Sequence, residues 1–337
     1  MTTRRGSLEL AITGAWYRGA AWLWLLWPLS LIVHLVVAWR RWRWRQWPPA
    51  PPVLPTVVIG GLTVGGSGKT PVLLALVSAL TQRGIRVGVV SRGYGSESAT
   101  APPRCVEDGD TPATVGDEPR LVSQRTGVPV CVGRDRAQAV TTLLEQHELD
   151  VVLSDDGLQH YSMARSFEIA VLDGDRGLGN RQLLPMGPLR EPVGRLDSVD
   201  WRLVRNGSDA SSAFSYQTSG FYPLQPAVAD EWLSVETARE RWAMLRVAAV
   251  TGIGQPEQFF KQLEALGITC SHWAFPDHYA FDGDELQRID ADIIIVTEKD
   301  AVKLLSSHDL RIWQCRIHAE LPSALVDALV AHIREGV

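Results

Sequence analysis

The chain has 337 residues, more than one hydrophobic core usually organises, so a large α/β domain with a smaller second unit is expected. Its 33 lysines and arginines against 38 aspartates and glutamates give a formal net charge of -5, which argues against nucleic acid as a partner of the whole protein. Four cysteines, Cys105, Cys131, Cys270 and Cys315, are scattered without a close pair, so neither a disulfide framework nor a zinc knuckle is expected and a reducing, cytosolic setting suits the catalytic part.

The first predicted element is apolar. No Asp, Glu, Lys or Arg occurs from Ala20 to Trp39, and at about 1.5 Å per helical residue such a run reaches ~30 Å, one hydrocarbon thickness. Eight of the 13 tryptophans fall between Trp16 and Trp47 and gather at the two ends of the run, where indole rings favour the headgroup level. Arg40, Arg41, Arg43 and Arg45 follow at once, suited to anionic headgroups and to keeping the rest of the chain cytoplasmic. A cleaved signal peptide would have a shorter apolar core and a small-residue cleavage site. Pro28, Ser30 and His34 interrupt the run, so a spanning helix and one lying in a single leaflet both remain open. Residues 1–47 are therefore expected to anchor the chain, with the proline-rich stretch from Trp47 to Pro55 as a stiff connector.

From Val57 the chain reads Val-Val-Ile-Gly-Gly-Leu-Thr-Val-Gly-Gly-Ser-Gly-Lys-Thr, a β-rich run giving way to a glycine loop and then to the apolar helical pattern of Pro71 to Leu80. Along Thr63, Val64, Gly65, Gly66, Ser67 and Gly68 successive backbone N–H groups can point into one concavity, and the helix dipole adds positive potential there. A polyphosphate fits such a loop, with Lys69 reaching its β- and γ-phosphates and the Thr70 hydroxyl on the bridging magnesium ion. Thr63 stands where the strict pattern has glycine. The plain alternative is a glycine-rich turn between a strand and a helix.

The helix from Pro71 to Arg83 ends at Gly84, and a strand from Arg86 to Val90 stops at Ser91-Arg-Gly-Tyr-Gly. Ser96 to Ala113 reads as a mobile loop, and Gly116-Asp-Glu-Pro opens a helix with Asp117 near its N-cap. Strand 128–132, helix 134–146 and strand 150–154 follow, an alternation that predicts a mostly parallel sheet wrapped by helices, of the P-loop NTPase type. The last of these strands ends in Asp155-Asp156-Gly157, which brings a carboxylate beside the phosphate loop to hold magnesium. After a strand at Phe167 to Leu172 comes a long loop containing Arg176, Arg181, Arg190 and Glu191, suited to closing over a phosphorylated substrate, although loop arginines are commonly just solvated. A strand at Asp200 to Arg205 precedes the polar run Asn206 to Ser219, read as a domain seam. This divides a core of residues 48–205 from a smaller C-terminal α/β unit of residues 206–337, with strands at 246–253, 269–275 and 293–297 and helices at 256–266 and 323–334.

Together these motifs resemble the tetraacyldisaccharide 4'-kinase (LpxK) family, the lipid A kinases of Gram-negative bacteria. The matching pieces, in order, are Val64-Gly-Gly-Ser-Gly-Lys-Thr-Pro, Ser91-Arg-Gly-Tyr-Gly, Val115-Gly-Asp-Glu-Pro, Gly133-Arg-Asp-Arg, Ser154-Asp-Asp-Gly-Leu-Gln-His, Leu184-Pro-Met-Gly-Pro-Leu-Arg-Glu-Pro, Asp277-His and Val296-Thr-Glu-Lys-Asp-Ala-Val-Lys. Met186 replaces the family's usual alanine. The resemblance implies transfer of the γ-phosphate of ATP to the 4'-hydroxyl of a tetraacyldisaccharide 1-phosphate, giving lipid IVA at the cytoplasmic face of the inner membrane. It implies ATP and Mg2+ as cofactors, an acylated disaccharide 1-phosphate and the inner-membrane surface as partners, and a monomer. By the same resemblance Asp117 is the base and His278 orients it, with Lys69 and Asp156 completing the catalytic set. Thr70, Asp155 and Glu118 are expected at the metal, the choice between Asp155 and Asp156 being open, and Tyr94, Arg134, Gln159, Arg190 and Glu191 at the substrate.

A membrane-attached GTPase or ATPase of the targeting or metallochaperone class shares the loop and the sheet. Guanine recognition, however, calls for Asn/Thr-Lys-x-Asp, and Thr297-Glu-Lys-Asp has Glu298 in place of the lysine.

Overall fold

The computed structural model describes residues 4–65, 68–99, 101–225, 232–281 and 284–336. Helix α1 (Arg4–Arg18), a 3-10 turn (Ala21–Leu26) and α2 (Trp27–Gln46) come first. The body then alternates β1 (Thr56–Gly60), α3 (Lys69–Thr81), β2 (Val87–Ser91), β3 (Arg104–Cys105), α4 (Pro112–Val115), α5 (Asp117–Thr126) and β4 (Val130–Val132). It continues with α6 (Arg136–Gln146), β5 (Val151–Ser154), β6 (Phe167–Asp173) and β7 (Trp201–Arg205). The last third holds β8 (Ala213–Pro223), α7 (Val235–Trp242), β9 (Val247–Thr251), α8 (Pro256–Ala265), β10 (Ser271–Ala274) and α9 (Asp284–Gln287). It closes with β11 (Ile293–Thr297), α10 (Glu298–Ala301), β12 (Ile312–Glu320) and α11 (Ser323–Glu335).

Among the described residues the strands form one sheet of twelve in the order β10-β9-β11-β12-β8-β7-β6-β1-β5-β2-β4-β3. Strand β1 lies between β5 and β6, parallel to both, and all five of its residues are buried. Helices cover both faces of such a sheet, so its central strand reads as a continuous Val-Val-Ile run rather than an alternation. One face is filled by Leu73, Leu76 and Leu80 of α3 against Val57 and Ile59, the other by Val58, Val90 and Leu158.

The polar run expected to be a seam is instead built into β8. Its first residues pair with β7 and its remainder runs antiparallel to β12, so the sheet passes without a gap from the first half into the second. Within the run Phe214 is buried among small and polar neighbours, which is why it reads as loop in sequence. Helix α11 returns to the first half, where Leu325, Leu329, Val330 and Ile333 join the core beside α3. A second correction concerns the cysteines: Cys105 and Cys131 are register partners across the antiparallel β3–β4 pair and form a disulfide.

The N-terminal elements lie against the body along one flank. Trp16 donates from Nε1 to Pro185 O (2.9 Å), and Leu23 and Met186 close the contact. Ser30, which looks in sequence like an interruption of the apolar run, donates to Leu183 O (2.9 Å). Farther along α2, Arg40 donates to Gln159 O (2.9 Å) and the Trp44 ring sits 5.2 Å from that of Tyr161. The outer side leaves Trp22, Trp24, Trp27, Ile32, Leu35, Trp39 and Trp42 exposed.

Candidate active site

In an open parallel sheet, loops gather at the carboxyl ends of the strands. The segment after β1 lies there and leads into α3, whose first residues are Lys69 and Thr70. Gly68 takes the left-handed conformation (φ 75°) required to turn into that helix, and Tyr216 Oη donates to its carbonyl (2.8 Å). A Cβ at Gly68 would stand 1.6 Å from that hydroxyl, so only glycine fits. Upstream, Val64 N donates to Pro188 O (2.8 Å) and Thr63 bridges Leu189, which fastens the start of the loop to the segment preceding Arg190. Gly66 and Ser67 lie outside the described residues.

Because β5 is β1's neighbour, Asp155 and Asp156 arrive at the same edge. Asp156 has a left-handed backbone (φ 47°) and lies 3.4 Å from Lys69 Nζ and 2.7 Å from Arg190 Nη1. Burial pushes its carboxyl up, but Lys69 and Arg190 outweigh burial and hold it down at about 2. Asp155 goes the other way. It is 2% exposed, and burial first, then the charges of Glu118 and Asp156, raise it to about 7. Its Oδ1 is buried without a hydrogen-bond partner, the kind of vacancy in a bonding pattern that a cation fills. Among the described residues no three His, Cys, Asp or Glu side chains converge as a closed metal cage. Magnesium takes one or two carboxylates and completes its shell with phosphate oxygens and water, and the unpartnered Asp155 Oδ1 is the atom suited to it. Arg136, buried and lowered to about 10 by that burial, donates to Asp155 O (2.9 Å) and fixes the turn.

A second group comes from α5 and the C-terminal half. Gly116 is the N-cap of α5, so Asp117 is its first residue and leaves its carboxylate for other partners. Its Oδ2 lies 3.1 Å from His278 Nδ1 and 3.5 Å from Lys303 Nζ. Burial raises its carboxyl, yet His278, Lys303 and Lys299 together bring it below the ordinary carboxylate value. His278 has a left-handed backbone (φ 57°), with its N–H bonded to Gly252 O at the end of β9. Lys299 Nζ stands 3.5 Å from His278 Nε2 and 3.4 Å from Glu118 Oε1. Glu118 joins the two groups: it ion-pairs with Lys299 and lies close enough to Asp155 to raise it. Glu118 thereby links the two sets of acids.

Among the expected substrate residues, Tyr94 is exposed with its ring 5.7 Å from that of His278. Gln159 donates to Gly61 O (3.1 Å), and its Oε1 accepts from Arg190 (3.4 Å), so both sit beside Asp156. Arg134 lies exposed on the turn before α6, and it is Arg136 of the same motif that reaches the acidic turn. Glu191 is 1% exposed; its Oε2 accepts from Tyr161 Oη (2.8 Å) and pairs with Arg195 (3.2 Å), contacts that hold its loop together. Sequence reasoning passed over Lys303, Lys299, Arg136 and Tyr216. The first three stand inside motifs already singled out, but Tyr216 falls in the run taken for a seam. Within the Thr297-Glu-Lys-Asp stretch Lys299 faces the site, whereas Asp300 is structural: it is fully buried and accepts from Thr251, Thr297 and Gly252 N.

A glycine loop with its lysine at a strand-to-helix junction, facing acids from the adjacent strand and an aspartate–histidine pair, defines a nucleotide-dependent phosphotransferase of the phosphate-loop class. The family model described as LpxK, tetraacyldisaccharide-1-P 4'-kinase, matches residues 22–334, and the chain belongs to that family. The chain is similar to the tetraacyldisaccharide 4'-kinase of Chromobacterium violaceum, 45% identical over 336 residues that cover 95% of this chain and 96% of the relative. It is also similar to that of Hahella chejuensis, 43% identical over 334 residues and 95% of each chain. Its fold matches the crystal structure of LpxK from Aquifex aeolicus, described as an apo form in complex with ATP, with a TM-score of 0.76 over 92% of this chain and 99% of that one at 24% identity.

Proposed function

We propose that this protein transfers the γ-phosphate of ATP to the 4'-hydroxyl of a tetraacyldisaccharide 1-phosphate, forming lipid IVA during lipid A biosynthesis. The observation that carries this reading is the 3.1 Å Asp117–His278 pair, linked through Glu118 to Asp155 beside the Lys69–Asp156 ion pair. Phosphoryl transfer asks for positioning and charge stabilisation more than for covalent chemistry. The loop amides and Lys69 bind the phosphates, and Arg190 offers a planar fork beside Asp156. Asp117, ionised at neutral pH, takes the proton of the sugar hydroxyl as that oxygen bonds to the γ-phosphorus and ADP leaves. His278 holds the Asp117 carboxylate in place through Nδ1. Asp155 and Thr70, with Glu118 nearby, would hold a magnesium ion, which would supply positive charge to the phosphates.

Residues 48–205 furnish the phosphate loop and the acidic turn, residues 206–337 bring His278, Lys299 and Lys303, and residues 1–47 seat the protein on the cytoplasmic side of the inner membrane. The tryptophan-rich outer side of α2 supports that seating. Because Ser30, Arg40 and Trp44 tie the same helix to the body, we read it as lying in one leaflet rather than crossing the bilayer. A single chain supplies both groups of acids, in keeping with a monomer.

The test is transfer of labelled γ-phosphate to the lipid acceptor, run beside GTP hydrolysis without acceptor. Labelled lipid from the wild type, none from Lys69→Ala or Asp117→Ala, is the expected result. Normal turnover by Asp117→Ala would remove it as the base, and acceptor-independent GTP hydrolysis would point to the GTPase class instead.

A further inference from the structure

The loop after β6 holds an arginine that the site described above does not use. Strands β6 and β1 are parallel neighbours, with Ala170 opposite Gly60, so the residues following β6 emerge beside the phosphate loop. Asp173 ends β6, and its Oδ1 accepts from the backbone N–H groups of Asp175 (3.2 Å) and Arg176 (3.3 Å). Arg205 fixes that carboxylate from below through Nη2 at 2.7 and 2.8 Å. The turn bearing Arg176 is thus built on a buried ion pair.

The Arg176 guanidinium lies beside Gly65 of the phosphate loop: its Nη1 is 3.8 Å from where a Cβ on Gly65 would stand. Its other neighbour is the ring of Tyr17 in α1, with Cζ 4.0 Å from the ring centroid. A guanidinium on an aromatic face keeps its N–H donors in its own plane, available to a phosphate alongside. Among the described residues no carboxylate pairs with it, and the nearest in sequence, Asp175, is engaged by Arg205 and Asn206. Tyr17 is held in turn, since Trp16 beside it donates from Nε1 to Pro185 O and accepts at its carbonyl from Asn180 N (3.0 Å).

We propose that Arg176 is a catalytic residue that donates to the terminal phosphate oxygens of a nucleotide on the Gly65 to Lys69 loop and stabilises the charge that develops there during transfer. Tyr17 is its positioning residue, which makes the nucleotide site depend on the N-terminal helix. This assignment rests on the reading of that loop as the nucleotide site. A transferring phosphoryl group spreads negative charge over its oxygens, and an arginine supplied beside the loop is one way to meet it.

The experiment uses the full chain in mixed detergent micelles with ATP and an acylated disaccharide 1-phosphate, and measures Mg-ADP binding by calorimetry. Arg176→Ala is expected to lower kcat about 100-fold while ADP affinity stays within about threefold, because the lost contact matters most in the transition state. Arg176→Lys, a point charge without the fork, should recover about tenfold of that loss. Tyr17→Leu should lower kcat about tenfold, and Tyr17→Phe, the conservative variant that keeps the ring, should recover most of that loss. Arg176→Ala with wild-type kcat, or with ADP affinity falling in step with kcat, overturns the assignment. If Arg176→Ala does not fold, Arg176→Lys decides: reduced kcat with intact ADP binding supports the proposal and wild-type turnover overturns it. Lys69→Ala runs in parallel. An inactive Lys69→Ala beside an active Arg176→Ala removes only the arginine, whereas activity in both removes the phosphate-loop reading with it.

Discussion

Replacing Asp155 with asparagine should stabilise the metal-free protein at neutral pH while stopping phosphate transfer. Burial and the neighbouring acids raise the Asp155 carboxyl from 3.8 to about 7. A raised carboxyl binds its proton more tightly in the folded chain than in the unfolded one, so stability falls as pH rises between those two values. At about 1.4 kcal/mol per pH unit over roughly three units, the ionised form is disfavoured by up to about 4 kcal/mol once the pH passes 7. The neutral amide of Asp155→Asn removes that cost. Its stability gain should be small near pH 4, grow through pH 5 and 6, and level off above about pH 7. Urea denaturation at each of these pH values in EDTA reads the gain directly. Adding magnesium above pH 7 should raise the midpoint of the wild type and leave the variant unmoved. A gain that does not change with pH, or a variant less stable than the wild type at pH 8, would refute the claim that a buried unpaired carboxylate waits there for a cation.

Lys303 is 5% exposed and lies 2.9 Å from the fully buried Asp300, so Lys303→Met should leave an uncompensated buried charge. A loss of about 3 kcal/mol in urea denaturation is expected, together with reduced turnover, because Asp117 loses the nearer of its two lysine neighbours. A loss under about 1 kcal/mol would contradict this account. Changing Arg41, Arg43 and Arg45 together to glutamine should weaken binding to anionic vesicles by about 1 kcal/mol per residue and flatten its salt dependence. Unchanged sedimentation with such vesicles at low salt would argue that apolar contact alone seats α2.

Much of the site was legible because phosphate chemistry leaves local marks. The order Val57-Val58-Ile59, glycines, Lys69, Thr70 is a strand, a turn and a helix start in consecutive residues, and Asp155-Asp156 follows a strand of the same kind. What escaped is what depends on partners distant in the chain. Glu191, beside Arg190, turns inward because Tyr161 and Arg195 are there to receive it. Arg134 and Arg136 are equivalent in sequence, and only helix α6, beginning at Arg136, decides which of them reaches Asp155. Strand β8 reads as loop because its burial comes from β12, roughly a hundred residues onward, and not from its own composition.

By itself the sequence determined the alternation of strands and helices, the phosphate loop, the acidic turn and the apolar, tryptophan-flanked N-terminus, since each follows from residues within one turn or one strand of each other. Only the tertiary structure decided that one sheet joins the two halves, that Asp117 meets His278 instead of capping its helix, and that Arg176 stands beside Gly65 on the Tyr17 ring. Those are contacts between side chains far apart in sequence, and their energies depend on burial and distance, which exist only once the chain has folded.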